Sequence, residues 1–534
     1  MRGGRWALMG GSLTQWASIR CALTSGRLAQ RALMFTLAFA LASASCSSEL
    51  QLNLIVFDSC QQFPLDNPQL DTLDVRIGTA QGSITARESF DFDLRRGDFD
   101  DIEPIEDAVL SVVASAGATP QAAASVGLID LSGEDGEDPL EVSIVIGNVD
   151  SFIRTTNTAQ ANQCSDQIAA RRRHTATLLP DGRVFIAGGF DASADFFRLW
   201  TTNELYDPVA GVFGPVPELA EGREGHTATR LNSGEVLLAG GQGSDATLSS
   251  TEIYEPSAGR LGGGPELAEP RAYHTATLLG DGSVLLVGGA QRLEDGTLRY
   301  LGTTSRYQPD GSVVVGRPLS GPRAFHTAIR VSPDTVAVIG GLDEAGLVAR
   351  IEFVSANAAI VGAELAVPRS HAAAALISGT DTMVIAGGFG VAPQDPRLPE
   401  RESGTASVEI VELRPDAWEQ SVVACERSLR VARGDAAIAP RPGGLLLAGG
   451  VSASGASLSS AEVLTFGADP CAGDPADIDL SPGELNTARA GSRLTPLIGG
   501  DVLVSGGYQS EPSFDPADTQ ARSLAAAEIY IVPR

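Results

Sequence analysis

The sequence predicts an all-β protein in which seven repeated units follow a small β-sandwich-like domain. Three observations carry that prediction. The five histidines of the 534-residue chain, His174, His226, His274, His326 and His371, stand 52, 48, 52 and 45 residues apart, each shortly after an Arg. Apolar runs closed by a glycine pair recur with them and beyond them, at 188–189, 240–241, 288–289, 340–341, 387–388, 449–450 and 506–507. After a further loop comes a short strand opened by Glu204, Glu252, Glu352, Glu409, Glu462 or Glu528, with Ser305 in that place in the third unit. A period near 50 residues, made of short β-forming runs between Gly, Pro, Asp and Ser turns, is the signature of a radial β-propeller with one four-stranded blade per repeat.

Residues 1–45 read as an export signal. Arg20, Arg27 and Arg31 precede the apolar run Ala32 to Ala44, which at 13 residues is too short to span a bilayer as a helix and is followed by small residues. Ala42-Ser43-Ala44 fits an ordinary small-x-small cleavage site. Ser43-Ala44-Ser45-Cys46 fits a bacterial lipoprotein signal that would acylate Cys46, although the usual Leu is displaced to Leu41. The expected product is exported, held at the outer membrane or cell surface as a lipoprotein, or alternatively released to the periplasm or medium. Cys60, Cys164, Cys425 and Cys471 then remain, an even number suited to disulfides in an oxidising compartment. Of the three possible pairings, the expected one joins Cys425 to Cys471 in adjacent blades and Cys60 to Cys164 between the N-terminal domain and the propeller.

Residues 46–150 form the next unit. From 47 to 150 the chain holds 21 acids against four Arg, yet apolar or alternating runs stand at 50–57, 73–77, 109–114, 124–131 and 140–146. Strands so spaced over about 100 residues suggest a sandwich of immunoglobulin-like type. The acid pairs could ligate Ca²⁺, but no DxDxDG loop is present and a solvated acidic face is the simpler reading.

Residues 151–534 carry the seven repeats. The last ends at Glu528-Ile529-Tyr530-Ile531-Val532-Pro533-Arg534, with no room for a fourth strand. A segment within about 150–170 is therefore expected to complete the seventh blade, because an open ring would leave unpaired edges.

At these residues the chain resembles the kelch repeat family, whose hallmarks are a Gly-Gly pair ending the second strand, a downstream Glu-x-Tyr, and then an aromatic. The resemblance covers about residues 165–534. All seven Gly pairs are present, and the Tyr survives as Tyr206, Tyr254, Tyr307 and Tyr530. Phe213, Leu261, Val313 and Ile360 stand near the place of the expected Trp, which survives as Trp418.

Composition narrows the function. All 38 basic residues are Arg, so lysine-dependent phosphate loops, Schiff bases and Ser-Lys nucleophiles are excluded. Loss of the leader, with five Arg and no acid, takes the net charge from −28 to −33, a surface that repels nucleic acid and anionic headgroups. No catalytic residue, metal site or cofactor is assigned. Equivalent histidines in adjacent blades should lie about 10 Å apart, far beyond a metal–nitrogen bond of about 2 Å. They read as structural, and the repeated Arg and Glu as ion pairs. The kelch resemblance implies a comparison with galactose oxidase, whose copper site uses two His, two Tyr and a Cys, but here every His belongs to the repeat. A sialic-acid mutarotase of the same family needs only polar channel groups. Neither a Ser-His-Asp motif nor a nucleophile elbow occurs.

Loops offer the better guide, since propellers place binding on one face's insertions. From the second Gly to the Glu position the units count 15, 11, 16, 11, 21, 12 and 21 residues. The long loops hold Phe190, Phe196, Phe197, Arg198 and Trp200; Arg292, Arg299 and Tyr300; Phe389, Arg397 and Arg401; and Tyr508 and Phe514. Aromatics with Arg anchor protein partners or stack on sugars. The expectation is a monomeric, non-catalytic protein that binds a protein or glycan in the cell envelope and touches membrane only through its N-terminal lipid. The alternatives are a carbohydrate-active propeller enzyme, betrayed by an asymmetric cluster of acids, Tyr or His in the channel, and a passive spacer.

Overall fold

In the computed structural model, seven four-stranded antiparallel sheets succeed one another along the repeats. The structure describes residues 32–38, 51–58, 70–79, 84–91, 107–116, 119–129, 140–149, 151–155, 165–193, 196–392, 404–467, 469–471, 478–479, 483–510 and 522–532. In the first sheet the strands are Thr175–Leu178, Val184–Ala187, Asn203–Asp207 and Val212–Val216, in that order from axis to rim. The second strand is the glycine-pair run of each repeat, and Val184–Ala187, Val236–Ala239, Val284–Val287 and Val336–Ile339 are buried at every position. A strand covered on both faces needs a continuous apolar run rather than alternation, and these sequences supply it.

Each first strand lies beside the first strand of the next sheet, and Arg493–Pro496 of the last lies beside Thr175–Leu178 of the first. The core is accordingly divided into wedges between neighbouring blades. Phe185 and Leu205 of blade one pack with Val236, Leu238 and Tyr254 of blade two, where Phe185 stacks on Tyr254 at 4.3 Å. The wedge between the chain ends joins Val184, Ile186 and Tyr206 to Leu503 and Ala527.

The N-terminal unit contains β1 (Ala32–Ala38), β2 (Gln51–Asp58), β3 (Thr72–Thr79), β4 (Ile84–Asp91), β5 (Ala108–Ala116), β6 (Thr119–Ile129) and β7 (Leu140–Asn148). Rather than two separate sheets, they share one hydrogen-bonded order, β1-β2-β7-β6-β5-β3-β4. Strand β7 makes the join, pairing parallel with β2 over 140–146 and antiparallel with β6 at 147–148. β1, drawn from the apolar run read as a leader, occupies one edge of this order. β4 lies outside the apolar runs of the sequence, because Ile84–Asp91 is largely polar.

β8 (Ser151–Arg154) then crosses to the propeller as the fourth strand of the last blade, pairing Ile153 with Ile529 and Phe152 with Tyr530. The expected closing segment is found within the range read from the sequence. Val113 and Ala123 of the N-terminal sheet pack with Ile153 and Ile531, so the same strand docks the two units together.

Cys425, on the rim strand Val422–Ser428, is disulfide-bonded to Cys471 of the following blade across a Cα–Cα distance of 5.8 Å. That bond fits an oxidising, exported environment. Cys46, Cys60 and Cys164 lie outside the described residues. No helix among the described residues is long and apolar enough to cross a membrane.

Candidate functional site

The axial end of the ring is organised by the glycine pairs. Both glycines of each pair have positive φ, and the second N–H donates to the carbonyl of the Arg that opens the next blade, as Gly189 to Arg223 at 2.8 Å. A Cβ on the first glycine would strike that same carbonyl, as at Gly240 against Arg271. Glycine is thus required where one blade's backbone meets the next.

The opening Arg is fully buried in all seven blades. Arg433 donates through one nitrogen to the carbonyls of Gly449 and Ser460 at 2.7 and 2.9 Å and through the other to Glu462 at 2.7 Å. Equivalent pairs join Arg171 to Glu204, Arg223 to Glu252, Arg323 to Glu352, Arg369 to Glu409 and Arg489 to Glu528. These groups hold the blades and are committed.

Histidines 174, 226, 274 and 326 follow three residues behind that Arg and are buried. Each meets a hydroxyl of the preceding blade through Nε2: Ser505 for His174 at 3.0 Å, then Thr175, Thr227 and Thr275 at 3.1, 3.1 and 2.9 Å. Burial draws His226 and His326 down to about 3, so all remain neutral imidazoles. His371 corrects the sequence reading. It stands two residues after Arg369, not three, and occupies a different structural position.

That position recurs in every blade. Two residues after each opening Arg the chain adopts positive φ in every blade, at Arg173, Gly225, Tyr273, Phe325, His371, Asp435 and Gly491. Their backbones are linked around the axis: Tyr273 N–H donates to Gly225, Phe325 to Tyr273, His371 to Phe325 and Gly491 to Asp435, at 2.8 to 3.1 Å. The result is a collar of repeated geometry and unrepeated chemistry. Tyr273 and Phe325 stack at 4.5 Å and Phe325 and His371 at 5.0 Å, paving one side. Tyr273 donates its hydroxyl to Glu224 at 2.9 Å, and Arg173 lies 3.4 Å from the same carboxylate.

On the other side Asp435 accepts from the Tyr508 hydroxyl at 3.2 Å. Arg493, exposed on the first strand of the last blade, donates to the His174 carbonyl at 3.0 Å. Burial lowers His371 to about 4 although nearby Asp435 opposes the shift. At neutral pH the collar therefore offers an uncharged imidazole together with a carboxylate and guanidiniums, a set able to donate and accept hydrogen bonds.

The loop aromatics read as exposed anchors are placed differently. Phe190, Phe389 and Tyr508 are buried, because each directly follows a glycine pair and is bridged to the strand start of its own blade, as Phe190 is to Arg172. They back the collar: Phe389 contacts His371 edge-on at 5.6 Å, and Arg172 lies over Phe190 at 4.5 Å. Tyr300 is half-buried against the Tyr273 and Phe325 cluster. Trp200 is half-buried too, donating to the Ala170 carbonyl at 2.9 Å under the exposed Arg198, whose guanidinium sits 4.2 Å from its ring. Arg292 and Arg299 are exposed, Arg299 reaching Glu269 at 3.0 Å. The backbone of Phe196 and Phe197 lies in the hairpin strand Phe196–Leu199, their side chains lie outside the description, and Arg397, Arg401 and Phe514 lie outside the described residues.

The two-His copper set implied by the galactose oxidase resemblance does not fit, since His371 alone of the five reaches the collar and the other four hold interblade hydroxyls. Among the described residues no three His, Cys, Asp or Glu converge on a metal position.

No family model and no curated protein matches the chain. Among solved structures it is similar to YjhT, at 14% identity over 56% of this chain and 96% of that one, with a TM-score of 0.41. It is also similar to a fungal alcohol oxidase of the AA5 family in complex with copper, at 12% identity over 69% of this chain and 75% of that one, with a TM-score of 0.49. In its glycine pairs, its buried Arg–Glu sheets and their order around an axis, the chain resembles the kelch-type β-propellers.

Proposed function

We propose that this chain is an exported binding protein, anchored by lipid on Cys46, whose complete seven-bladed propeller holds a glycan in its axial collar without transforming it. The collar carries this reading. The opening Arg and the glycine pair recur in every blade, yet two residues after that Arg seven equivalent backbones bear Arg, Tyr, Phe, His, Asp and two Gly. Such a site, with Tyr273, Phe325 and His371 stacked beside Arg173 on one side and Asp435 and Arg493 on the other, matches the alternating apolar faces and hydroxyl edges of a sugar ring. Residues 46–150 serve as the domain between the anchor and the propeller, and removal of the leader takes β1 from the edge of its sheet and leaves β2 there. A protein partner on the same face is the neighbouring possibility.

Glycan-array screening of the full chain, with Arg493→Ala and Asp435→Asn as controls, tests the assignment. Binding that weakens at least tenfold in both variants supports it; binding untouched by either places the ligand elsewhere. The asymmetry of the collar also favours a second reading, a carbohydrate-active enzyme working through His371 and Asp435. Nuclear magnetic resonance of bound sugars would separate the two, since a substrate's anomers interconvert faster with the protein than in buffer alone, and lose that acceleration in His371→Ala.

A further inference from the structure

Blade three breaks the ion-pair rule of the other six. Arg271 is fully buried, and its guanidinium is held as in its sisters, donating to the carbonyls of Gly288 and Thr303 at 2.7 and 3.1 Å. The residue opposite is Ser305 instead of Glu. The second terminal nitrogen of Arg271 finds only hydroxyls, Thr303 at 3.2 Å and Ser305 at 3.4 Å. The nearest carboxylate, Glu269, remains 3.9 Å away, engaged by the Thr303 hydroxyl at 2.5 Å and by Arg299 at 3.0 Å.

The sister blades show what belongs there. In each, the Glu carboxylate accepts from the guanidinium and also from an N–H three residues before the Arg: Ile168, Ala220, Ser320, Ala366, Arg430 and Asn486, at 2.6 to 3.0 Å. Ala268 stands at the matching place in blade three, and a serine side chain is too short to meet it. Blade three thus keeps the donors of the pair while the atoms of the acceptor are missing from the side chain. A buried charge without a directly bonded partner is costly. Consistent with this, burial draws Arg271 down to about 10 despite Glu269.

We propose that blade three contains an internal binding site for a small monovalent anion, chloride or a formate-sized carboxylate, held by the Arg271 guanidinium, the Thr303 and Ser305 hydroxyls and the Ala268 N–H. The anion replaces the carboxylate that glutamate supplies in the other blades. Ligands that bind only the folded state raise its stability with concentration, so the site makes blade three dependent on the surrounding salt.

The test is thermal unfolding of the full chain at fixed ionic strength while gluconate is replaced by chloride, and separately by formate, in wild type, Ser305→Glu and Glu269→Gln. Wild type should gain a few degrees with a saturable dependence on at least one anion, chloride and formate responses telling which is accepted. Ser305→Glu should be more stable in gluconate and show no dependence, whereas Glu269→Gln should show a larger one. An equal anion response in wild type and Ser305→Glu, or none in wild type and Glu269→Gln, overturns the proposal. Bromide-soaked crystals provide the second readout: a bromide within hydrogen-bonding distance of Arg271 is expected in wild type, and its absence there would also overturn it.

Discussion

The N–H of Gly507 donates to the carbonyl of Arg171 at 3.0 Å, across 336 residues of chain, just as Gly189 donates to Arg223 within a continuous stretch. The interblade bond therefore makes no distinction between neighbours in sequence and neighbours only in space. Six such bonds arise locally as the repeats succeed one another, while the seventh must be found by the two ends of the propeller. Stability of the whole ring should depend on that last junction.

The glycine pairs are the first place to test. Gly240 has φ +61 and faces the Arg271 carbonyl, whereas Gly443 has φ +79 at a turn with open space around it. Left-handed backbone costs a non-glycine residue about 1–2 kcal/mol, so Gly443→Ala should lose about that much. Gly240→Ala adds a backbone collision and should lose more than about 2 kcal/mol. Chemical denaturation of both variants reads the difference.

The closing strand is the second. Phe152 is buried, packs at 5.0 Å from the Tyr530 ring, and pairs with Tyr530 in register. Phe152→Ala should cost about 3–5 kcal/mol, the usual range for a buried aromatic. Because β8 closes the ring, the loss should appear first as faster hydrogen exchange in Glu528–Ile531 and in Thr175–Leu178 across the junction. Uniform acceleration in all blades would mean that closure is not the weak point.

What the sequence discloses and what it conceals follow from what a repeat is. The Gly pairs, the Arg and the Glu recur because each blade must solve the same packing problem, so blade order, the closing segment and the Cys425–Cys471 bond were all legible. The collar was not, since its residues share only a backbone conformation that no residue type announces: Arg173, Tyr273 and Asp435 have nothing in common as side chains. One signal was present. The 45-residue interval before His371 marks a histidine out of step with the others. Burial of Phe190, Phe389 and Tyr508 was hidden for a different reason, because a residue after a glycine pair can bridge back to its own blade or project outward, and composition does not separate the two.

Buried ion pairs furnish the third prediction. Arg433 and Glu462 are both inaccessible to solvent. Glu462→Gln keeps the shape but strands a guanidinium without counter-charge, and should cost about 3–5 kcal/mol. Arg260 pairs with Glu255 at 2.6 Å on an exposed rim strand, and Arg260→Gln should leave the unfolding midpoint unchanged because water and salt screen such pairs. A comparable loss in both variants would contradict the assignment of the repeat Arg as a structural bolt.

The buried histidines make the propeller acid-sensitive over a defined range. In the unfolded chain a His titrates near 6.5, while His226 and His326 are drawn down to about 3 by burial in the fold. Below pH 6.5 the unfolded state binds protons that the folded state refuses, so the stability these residues confer is complete above that pH and declines as pH falls toward 3. Each such His can contribute up to about 1.4 kcal/mol per pH unit to the slope. Wild-type protein should therefore lose stability steadily from pH 6.5 to pH 4.5, and His226→Gln, which can still bond Thr175, should show a shallower decline while being less stable at pH 7. Denaturation curves at half-unit pH intervals measure both slopes, and identical slopes in the two proteins would show that carboxylates, not the repeated histidines, set the acid limit of the fold.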